Sequence, residues 1–410
     1  MIVRTFFLIS LTALACAHPG HADHANRIGQ LGLIKAAAAP IPMHRQLFES
    51  IPGPAPIQRP GFVAVEGANL SGRMDAAVNL GRAAGARYWT AYAFDVRPGV
   101  SVDADWNGKG TSADGVNISF DPTRETRNLG VFLLREPNDT AVTRVEVYNL
   151  DRAREYSGYR VYWLGRAGNE ESLNLLRGLV EANNYKTADR VGSNATMAVA
   201  LHDDARVAGI LKNFVRQSSV EKTRTSAVFW LGQVGGETPF LADLTRNESE
   251  RREVRKQAAF AIGISKDSDA ISTLRNLYSS VTDRDVKEQI IFAASINQDK
   301  DTAVNFLIDV AGKDNDHESR KKAIFWLGQK AGERSLNALK DTVDSSDADT
   351  EIQKQAVFAI SQRSKDESVP LLIKIARTHA NPVVRKQAIF WLGQTGDERA
   401  VDLFKEILLK

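Results

Sequence analysis

The sequence is short of several features that define large classes of proteins. Its only cysteine is Cys16, so the chain cannot form an internal disulfide. No run of about 18 apolar residues is present, which argues against a transmembrane helix. Lysine and arginine number 53 against 50 aspartate and glutamate, a net charge of +3. This balance disfavours a nucleic-acid or other polyanion binder, because such proteins carry a basic surplus.

Catalytic motifs are also missing from the sequence. We find no HExxH, GxSxG or GxxxxGK[ST] pattern, and no nucleophile stands beside a suitable base. These patterns place a metal, an activated serine or a phosphate at defined spacing. We therefore predict no catalytic residues, and we expect a protein that is not an enzyme.

The N-terminus has the character of an export signal over residues 1–17. A charged MIVR precedes the apolar run TFFLISLTALA, and small residues follow, so cleavage fits after Ala15 or after Ala17. The run ALAC also resembles a bacterial lipoprotein box with Cys16 as the lipidated residue, although Ala13 stands where leucine is usual. We expect a periplasmic or secreted protein, with a lipid anchor at Cys16 as the alternative.

Two further regions precede the repetitive part of the chain. Residues 18–62 hold seven of the 13 prolines, which predicts an extended segment. Residues 63–157 are predicted to form a small β-rich domain that begins with a short helix at 71–84. Its predicted strands have alternating or continuous apolar residues and lie at 88–96, 116–120, 129–134 and 142–148.

A candidate calcium loop lies inside this β-rich region, in the stretch DADWNGKGTSAD. Asp103, Asp105, Asn107 and Asp114 have the spacing at which oxygen ligands converge on one cation. Asp114 stands where a longer glutamate is usual, and the flanks are strand-like, so this is not an EF-hand. The alternative is a polar hairpin loop, because Asp, Asn and Gly are good turn formers. Calcium is the only cofactor that we consider.

The C-terminal part of the chain repeats itself. AIFWLGQ occurs at Ala323–Gln329 and Ala388–Gln394, and AVFWLGQ at Ala227–Gln233. The tryptophan position of this motif recurs at intervals of 31 to 35 residues. A fixed period of this size indicates a solenoid of stacked supersecondary units. The eight aligned positions are Trp163, Ala198, Trp230, Ala261, Ala293, Trp326, Ala359 and Trp391.

Each unit has the pattern of two helices. In the last unit, Asn381 and Pro382 suit a helix start, Gly396 suits its end, and Asp397 suits the cap of a second helix. Five consecutive apolar residues cannot lie on one helix face, so neighbouring units must enclose the first helix. The residue before the tryptophan position is large and the residue two after it is small, which predicts filled layers and close helix approach.

Units of the form V-R-x-x-A-x-x-x-L-G-x-x-G-(D/E)…A…L resemble HEAT repeats, in particular the short HEAT-like type first named from phycobilisome lyases. The resemblance covers residues 158–410. It implies a mainly α fold, an α–α superhelix of about eight two-helix repeats preceded by the small β-rich domain. It implies no chemistry, because such repeats serve many functions.

Two rows of residues along the repeats have open interpretations. The tryptophans either pack in the core or form an exposed binding ladder. The cations six residues before the tryptophan position either grip an acidic partner or form a structural ladder with acidic loop residues such as Asp283, Asp285, Glu318 and Asp347. This row consists of Arg224, Arg255, Lys287, Arg320 and Arg385, with Gln353 interrupting it.

These observations predict an exported, non-enzymatic scaffold that binds a protein partner through its solenoid surface, which we expect the second helices to supply. One alternative is an enzyme or accessory subunit whose β domain is the active module, with Trp89, Tyr92 and Asp95 around a cleft. The other is a polyanion or nucleic-acid binder that uses the cation row, which export and charge balance disfavour.

Overall fold

The computed structural model describes residues 62–102, 118–120, 125–152, 154–182, 188–345 and 349–409. A five-stranded sheet comes first and a long array of helices follows. Within these ranges, no helix is both long enough and apolar enough to cross a membrane.

The sheet is mixed, with strand order β1-β7-β2-β5-β6. Strand β7 runs parallel to both β1 and β2, whereas β5 is antiparallel to β2 and β6. A separate antiparallel pair is formed by β3 and β4. The elements are β1 (Phe62–Ala64), α1 (Leu70–Ala83), β2 (Tyr88–Ala93), β3 (Val100–Val102), β4 (Ile118–Phe120), β5 (Leu129–Arg135), β6 (Val142–Asn149) and β7 (Arg160–Arg166).

Alternation along the strands gives the sheet two apolar faces. On β2, Tyr88 and Tyr92 point into the main core of the molecule, whereas Trp89 and Ala91 point into a second cluster on the opposite face. Side chains of a strand alternate between the two faces in this way because its period is two. The predicted short helix and the four predicted strands are all present, whereas the predictions missed β1, β3 and β7.

Trp163 corrects the predicted repeat alignment. It lies in β7, not in the first helix of a repeat, and packs beside Phe62 at a ring distance of 5.8 Å. In this strand Val161 and Trp163 face one cluster, whereas Tyr162 and Leu164 face the other. The segment YWLG resembles FWLG, but its neighbours alternate with period two and pair with β1 and β2.

Seven helix pairs follow, after a single helix α2 (Asn169–Glu181) that succeeds β7. We call the odd-numbered members of these pairs first helices and the even-numbered members second helices. They are α3 (Ala188–Ala200), α4 (Val207–Gln217), α5 (Glu221–Val234), α6 (Thr238–Arg246), α7 (Arg252–Ile264), α8 (Ala270–Ser280), α9 (Arg284–Ile296), α10 (Lys300–Lys313), α11 (His317–Gly328), α12 (Glu333–Asp344), α13 (Thr350–Ser361), α14 (Lys365–Thr378), α15 (Pro382–Thr395) and α16 (Glu398–Leu408).

The predicted boundaries of the last repeat are confirmed. The Asn381 side chain accepts a hydrogen bond from the Val383 backbone N–H at 2.9 Å, and Pro382 occupies the first turn of α15. Gly396 ends the helix in a left-handed conformation with φ 60°, where glycine has no steric penalty. Asp397 then caps α16 through the Arg399 N–H at 3.0 Å.

The sheet covers the N-terminal end of the helical array. Apolar side chains of β6 and α3 belong to one continuous core, which runs on to Leu403 in α16. The Asn194 amide of α3 donates to the Val145 carbonyl oxygen of β6 at 2.8 Å. A repeat cannot bury its apolar faces by itself, so a cover is required at an array end, and the sheet supplies it.

Candidate partner-binding surface

The predicted cation row lies between the two helices of successive repeats. Each arginine donates to a carbonyl oxygen at or just beyond the end of the preceding second helix, where such oxygens have no partner within the helix. Gln353 does the same from the position that interrupts the row. The distances are 2.7 Å for Arg224 to Val215, 3.0 Å for Arg255 to Thr245, 2.9 Å for Arg320 to Ala311, 2.6 Å for Arg385 to His379 and 3.1 Å for Gln353 to Val343.

The row has fewer acidic partners than a structural ladder of ion pairs would require. Arg224 makes a two-pronged contact with Glu250, and Arg255 lies 3.9 Å from Asp283. Lys287 instead sits 5.0 Å from the centre of the Tyr278 ring. Asp283 and Asp285 are bound mainly by Arg252, each at 2.9 Å, and Asp347 lies outside the described residues. We propose that the row stabilises the repeats by capping helices and does not bind a partner.

If Arg255 caps a helix, replacing it should lower the stability of the protein. The residue is only 5% exposed. We expect Arg255→Met to lower the free energy of unfolding by about 1–3 kcal/mol, because the buried Thr245 carbonyl loses its donor. Arg255→Gln should lower the free energy of unfolding by less than half of this amount. The Gln353 amide already donates to the corresponding carbonyl oxygen in another repeat. Urea unfolding followed by circular dichroism compares the two variants, and equal losses would contradict the capping role.

The first helices pack unusually close to one another. A Cβ atom added to Gly232, Gly263 or Gly328 would lie 2.4, 2.5 or 2.8 Å from the carbonyl oxygen of the next first helix. These are the predicted small positions, two residues after the tryptophan position. Only glycine lets the backbones approach to this distance, so the close approach that the sequence predicts is confirmed in these three repeats.

The second helices, in contrast, diverge. They contact one another less extensively than the first helices do, and a groove of about 670 Å³ separates α10 from α12. Since the first helices are close together and the second helices are spread apart, the array curves with the first helices on its inner side.

A row of phenylalanines follows this inner side, one from each of six successive first helices. Neighbouring rings stack at centroid distances of 6.3 Å for Phe229 and Phe260 and 6.0 Å for Phe260 and Phe292, with interplanar angles of 17° and 14°. Phe325 and Phe358 repeat the arrangement at 6.4 Å. We call these six residues the inner stripe: Phe229, Phe260, Phe292, Phe325, Phe358 and Phe390.

The inner stripe is only partly covered by the protein. Its first five rings are half-buried and Phe390 is 54% exposed, whereas the sequence predicted that these side chains would fill the layer between repeats. The tryptophans differ among themselves. Trp230 is buried at 7% exposure, while Trp326 and Trp391 are half-buried beside the stripe, at ring distances of 5.1 Å from Phe292 and 4.9 Å from Phe358. Trp230 thus packs in the core, as one interpretation predicted, whereas Trp326 and Trp391 are partly exposed, as the binding-ladder interpretation predicted.

Charge is distributed unevenly between the two layers of helices. The six first helices from α5 to α15 contain thirteen lysines and arginines against six acidic residues. The six second helices from α6 to α16 contain eleven of each sign. Five of the thirteen are the row cations, whose side chains reach towards the second helices. Eight cations against six acidic residues therefore remain for the rest of the first helices.

Other candidate sites do not assemble within the described residues. Trp89 and Tyr92 are buried on opposite faces of β2, and Asp95 pairs with Arg166 at 2.9 Å, so the three residues do not line a common cleft. No group of three metal-ligating side chains occurs in this part of the chain. The calcium loop with Asp103, Asp105, Asn107 and Asp114 lies outside it and stays a prediction.

The protein belongs to the class of α–α solenoids, because its helices stack closely in pairs. Its inner side carries a half-exposed aromatic stripe. The family model described as HEAT repeats matches residues 210–295 and 343–410. These two stretches contain HEAT repeats, as the sequence motif implied. No curated protein matches the chain significantly.

Several solved structures are similar to this chain at low identity. Human deoxyhypusine hydroxylase in complex with glycerol is 16% identical over 58% of this chain and 90% of its own, with a TM-score of 0.28. The CpcE–CpcF complex of phycocyanin lyase from Nostoc is 15% identical over 57% and 92%, with a TM-score of 0.30. Lipovitellin is 13% identical over 68% and 36%, with a TM-score of 0.39. These similarities carry no argument about function.

Proposed function

We propose that the protein is an exported, non-enzymatic scaffold that binds a protein partner on the inner face of its solenoid. The observation that supports this most strongly is the inner stripe. Its six phenylalanines remain partly exposed, although burying them would stabilise the fold. Trp326 and Trp391, which are half-buried, contact the rings on either side and complete the row. Contiguous exposed apolar surface of this kind marks sites of interaction in soluble proteins.

The proposed surface belongs to the first helices, not to the second helices that the sequence led us to expect. The second helices are spread apart, whereas the first helices are close together and carry the inner stripe. Aromatic side chains in a packed, partly desolvated row are the type of residue that contributes most to binding energy at interfaces.

Export is supported by the N-terminal sequence alone, through its charged start, apolar run and small residues before the two cleavage positions. We propose a periplasmic or secreted location, with lipid attachment at Cys16 as the alternative. An enzymatic β domain is not supported, since its candidate residues do not meet in a cleft. A calcium ion at Asp103, Asp105, Asn107 and Asp114 would be a structural addition to the β domain.

The proposed function is tested by capture from the native envelope fraction with matched variants. We expect a defined partner to bind the wild-type protein and to be lost from Phe260→Ala/Phe292→Ala, which removes two central rings of the stripe. The control is Phe240→Ala/Ile308→Ala, which removes half-buried apolar side chains from the second helices. Quantitative mass spectrometry compares the three, and equal recovery of the same proteins by all of them would contradict the proposal.

A further inference from the structure

We propose that the inner face recognises an extended polypeptide segment in which acidic residues alternate with apolar ones. This inference rests on the proposed function and specifies the kind of partner. Three features of the first helices support it: the spacing of the stacked rings, a row of glutamine amides that make no hydrogen bond to the described residues, and lysines beside the rings whose ion pairs are exposed or absent in this part of the chain.

The same three residue types recur on the inner face. Lysine, glutamine and phenylalanine occupy positions four apart and three apart on one helix, so that they share a face. Three repeats have the full set, while Glu288 replaces the lysine in α9 and Lys322 replaces the glutamine in α11. The full sets are Lys256, Gln257 and Phe260, then Lys354, Gln355 and Phe358, then Lys386, Gln387 and Phe390.

The ring spacing fits the side chains of an extended chain. Three of the five neighbouring ring pairs of the stripe are stacked at 6.0 to 6.4 Å, whereas Trp326 and Trp391 lie between the rings of the other two pairs. An extended chain advances about 3.3 Å per residue and directs alternate side chains to the same side, about 6.6 Å apart. Apolar side chains at every second position of such a segment would therefore meet successive rings from Phe229 to Phe292 and from Phe325 to Phe358.

The glutamines distinguish an extended segment from a helix. Gln257, Gln289, Gln355 and Gln387 are half-buried, and none of their amide groups makes a hydrogen bond to the described residues. Each amide offers one acceptor and two donor hydrogens, which complement the free N–H and C=O groups of an extended backbone. A helical partner would have satisfied those backbone groups internally.

Charge complementarity selects acidic residues for the positions between the apolar ones. Lys256, Lys321 and Lys354 are held only by exposed glutamates three residues earlier, at 3.3, 3.0 and 2.9 Å. Exposed pairs of this kind contribute little, so a partner carboxylate can replace the glutamate at small cost. Lys386 has no ion pair with the described residues, since the first turn of α15 contains no acidic side chain.

The spacing of the rings disfavours a nucleic acid as the ligand. Single-stranded nucleic acids bind by stacking their bases on the faces of aromatic side chains. Stacked rings of the stripe are nearly parallel, with centroids only 6.0 to 6.4 Å apart. A base inserted between two of them would need about twice the 3.4 Å stacking distance, so these pairs leave no room for it.

A peptide library displayed on phage tests the inference and does not require the native partner to be identified first. Random dodecapeptides are selected on the wild-type protein and, in parallel, on Phe260→Ala/Phe292→Ala, after circular dichroism has shown that the variant is folded. We expect wild-type selection to enrich sequences in which Asp or Glu alternates with Val, Ile, Leu or Phe. The strongest peptide should bind at least about fivefold more weakly to Gln257→Leu/Gln289→Leu, which removes two amides but keeps the rings.

Three outcomes decide between the possibilities. Enrichment of apolar residues spaced three and four apart would overturn the extended conformation, and enrichment of basic peptides would overturn the charge assignment. In either case, loss of the captured native partner from the stripe variant would leave the proposed function intact. If selection on the variant yields the same peptides and the native partner is also retained, both proposals fail.

Discussion

Gly263→Ala is expected to destabilise the solenoid by about 2–3 kcal/mol, although it adds only one methyl group. The new Cβ would lie 2.5 Å from the Ala293 carbonyl oxygen and 2.8 Å from the Ala293 Cα. Both are backbone atoms of α9, so no side chain can rotate to make room. The two first helices must move apart, which weakens the interface between repeats and favours separate unfolding of the two halves of the array.

Gly209→Ala is the control, because it makes the same chemical change but should raise the free energy of unfolding instead of lowering it. Gly209 lies in the second helix α4, and a Cβ added there meets no atom within 4 Å. Replacing glycine by alanine in a helix stabilises a protein by about 0.5–1 kcal/mol when there is space. Urea unfolding followed by helical ellipticity measures both variants, and a stabilised Gly263→Ala protein would refute the close packing that curves the array.

The repeat period predicted most of the helical fold because it records contacts between neighbouring units. Every first helix buries the same positions against the next, so the large and small residues recur in register at Phe260, Gly263 and their counterparts. The caps at Asn381 and Asp397 are local and could also be predicted. Strand β7 could not, since Trp163 is held by pairing with strands that lie about 70 and 100 residues earlier in the chain.

The candidate surface was harder to predict for a physical reason. Whether Phe260 is enclosed or half-exposed depends on the curvature of the array, and the curvature arises from differences in packing between two layers of helices. The cation row presented a similar difficulty. Arg224 and Arg385 align in the sequence with a surface-like period, yet each donates to a backbone carbonyl oxygen at or just beyond the end of another helix. A sequence does not display such a contact.

His202 joins the sheet to the solenoid through a buried chain of hydrogen bonds. Its Nδ1 is 2.7 Å from the Ala198 carbonyl oxygen, so Nδ1–H donates there and Nε2 is left to accept from the Ser172 hydroxyl at 2.7 Å. The Ser172 and Tyr92 hydroxyl oxygens are 3.0 Å apart and share a further hydrogen bond, which reaches β2. His202 is thus hydrogen-bonded through both ring nitrogens and only 1% exposed.

Burial favours the neutral form of His202, in which Nε2 accepts a hydrogen bond from Ser172. Burial lowers the pKa of His202 to about 4 from its ordinary value of 6.5, despite the nearby carboxylates of Asp204 and Asp95. Between these two values the unfolded chain binds a proton that the folded protein does not. Stability from this residue is therefore complete above about pH 6.5 and is lost as the pH falls towards 4.

We expect the free energy of unfolding to fall by about 3 kcal/mol more in the wild-type protein than in His202→Gln between pH 7 and pH 4. Glutamine can donate and accept a hydrogen bond as the neutral imidazole does, but it takes up no proton in this range. Tyr92→Phe is the matched control, since it removes one hydrogen bond at the same junction and keeps His202. Its unfolding free energy should be lower by about 1 kcal/mol at every pH, with the wild-type slope retained. Parallel curves for the wild-type protein and His202→Gln would show that the imidazole is not held neutral in the folded protein.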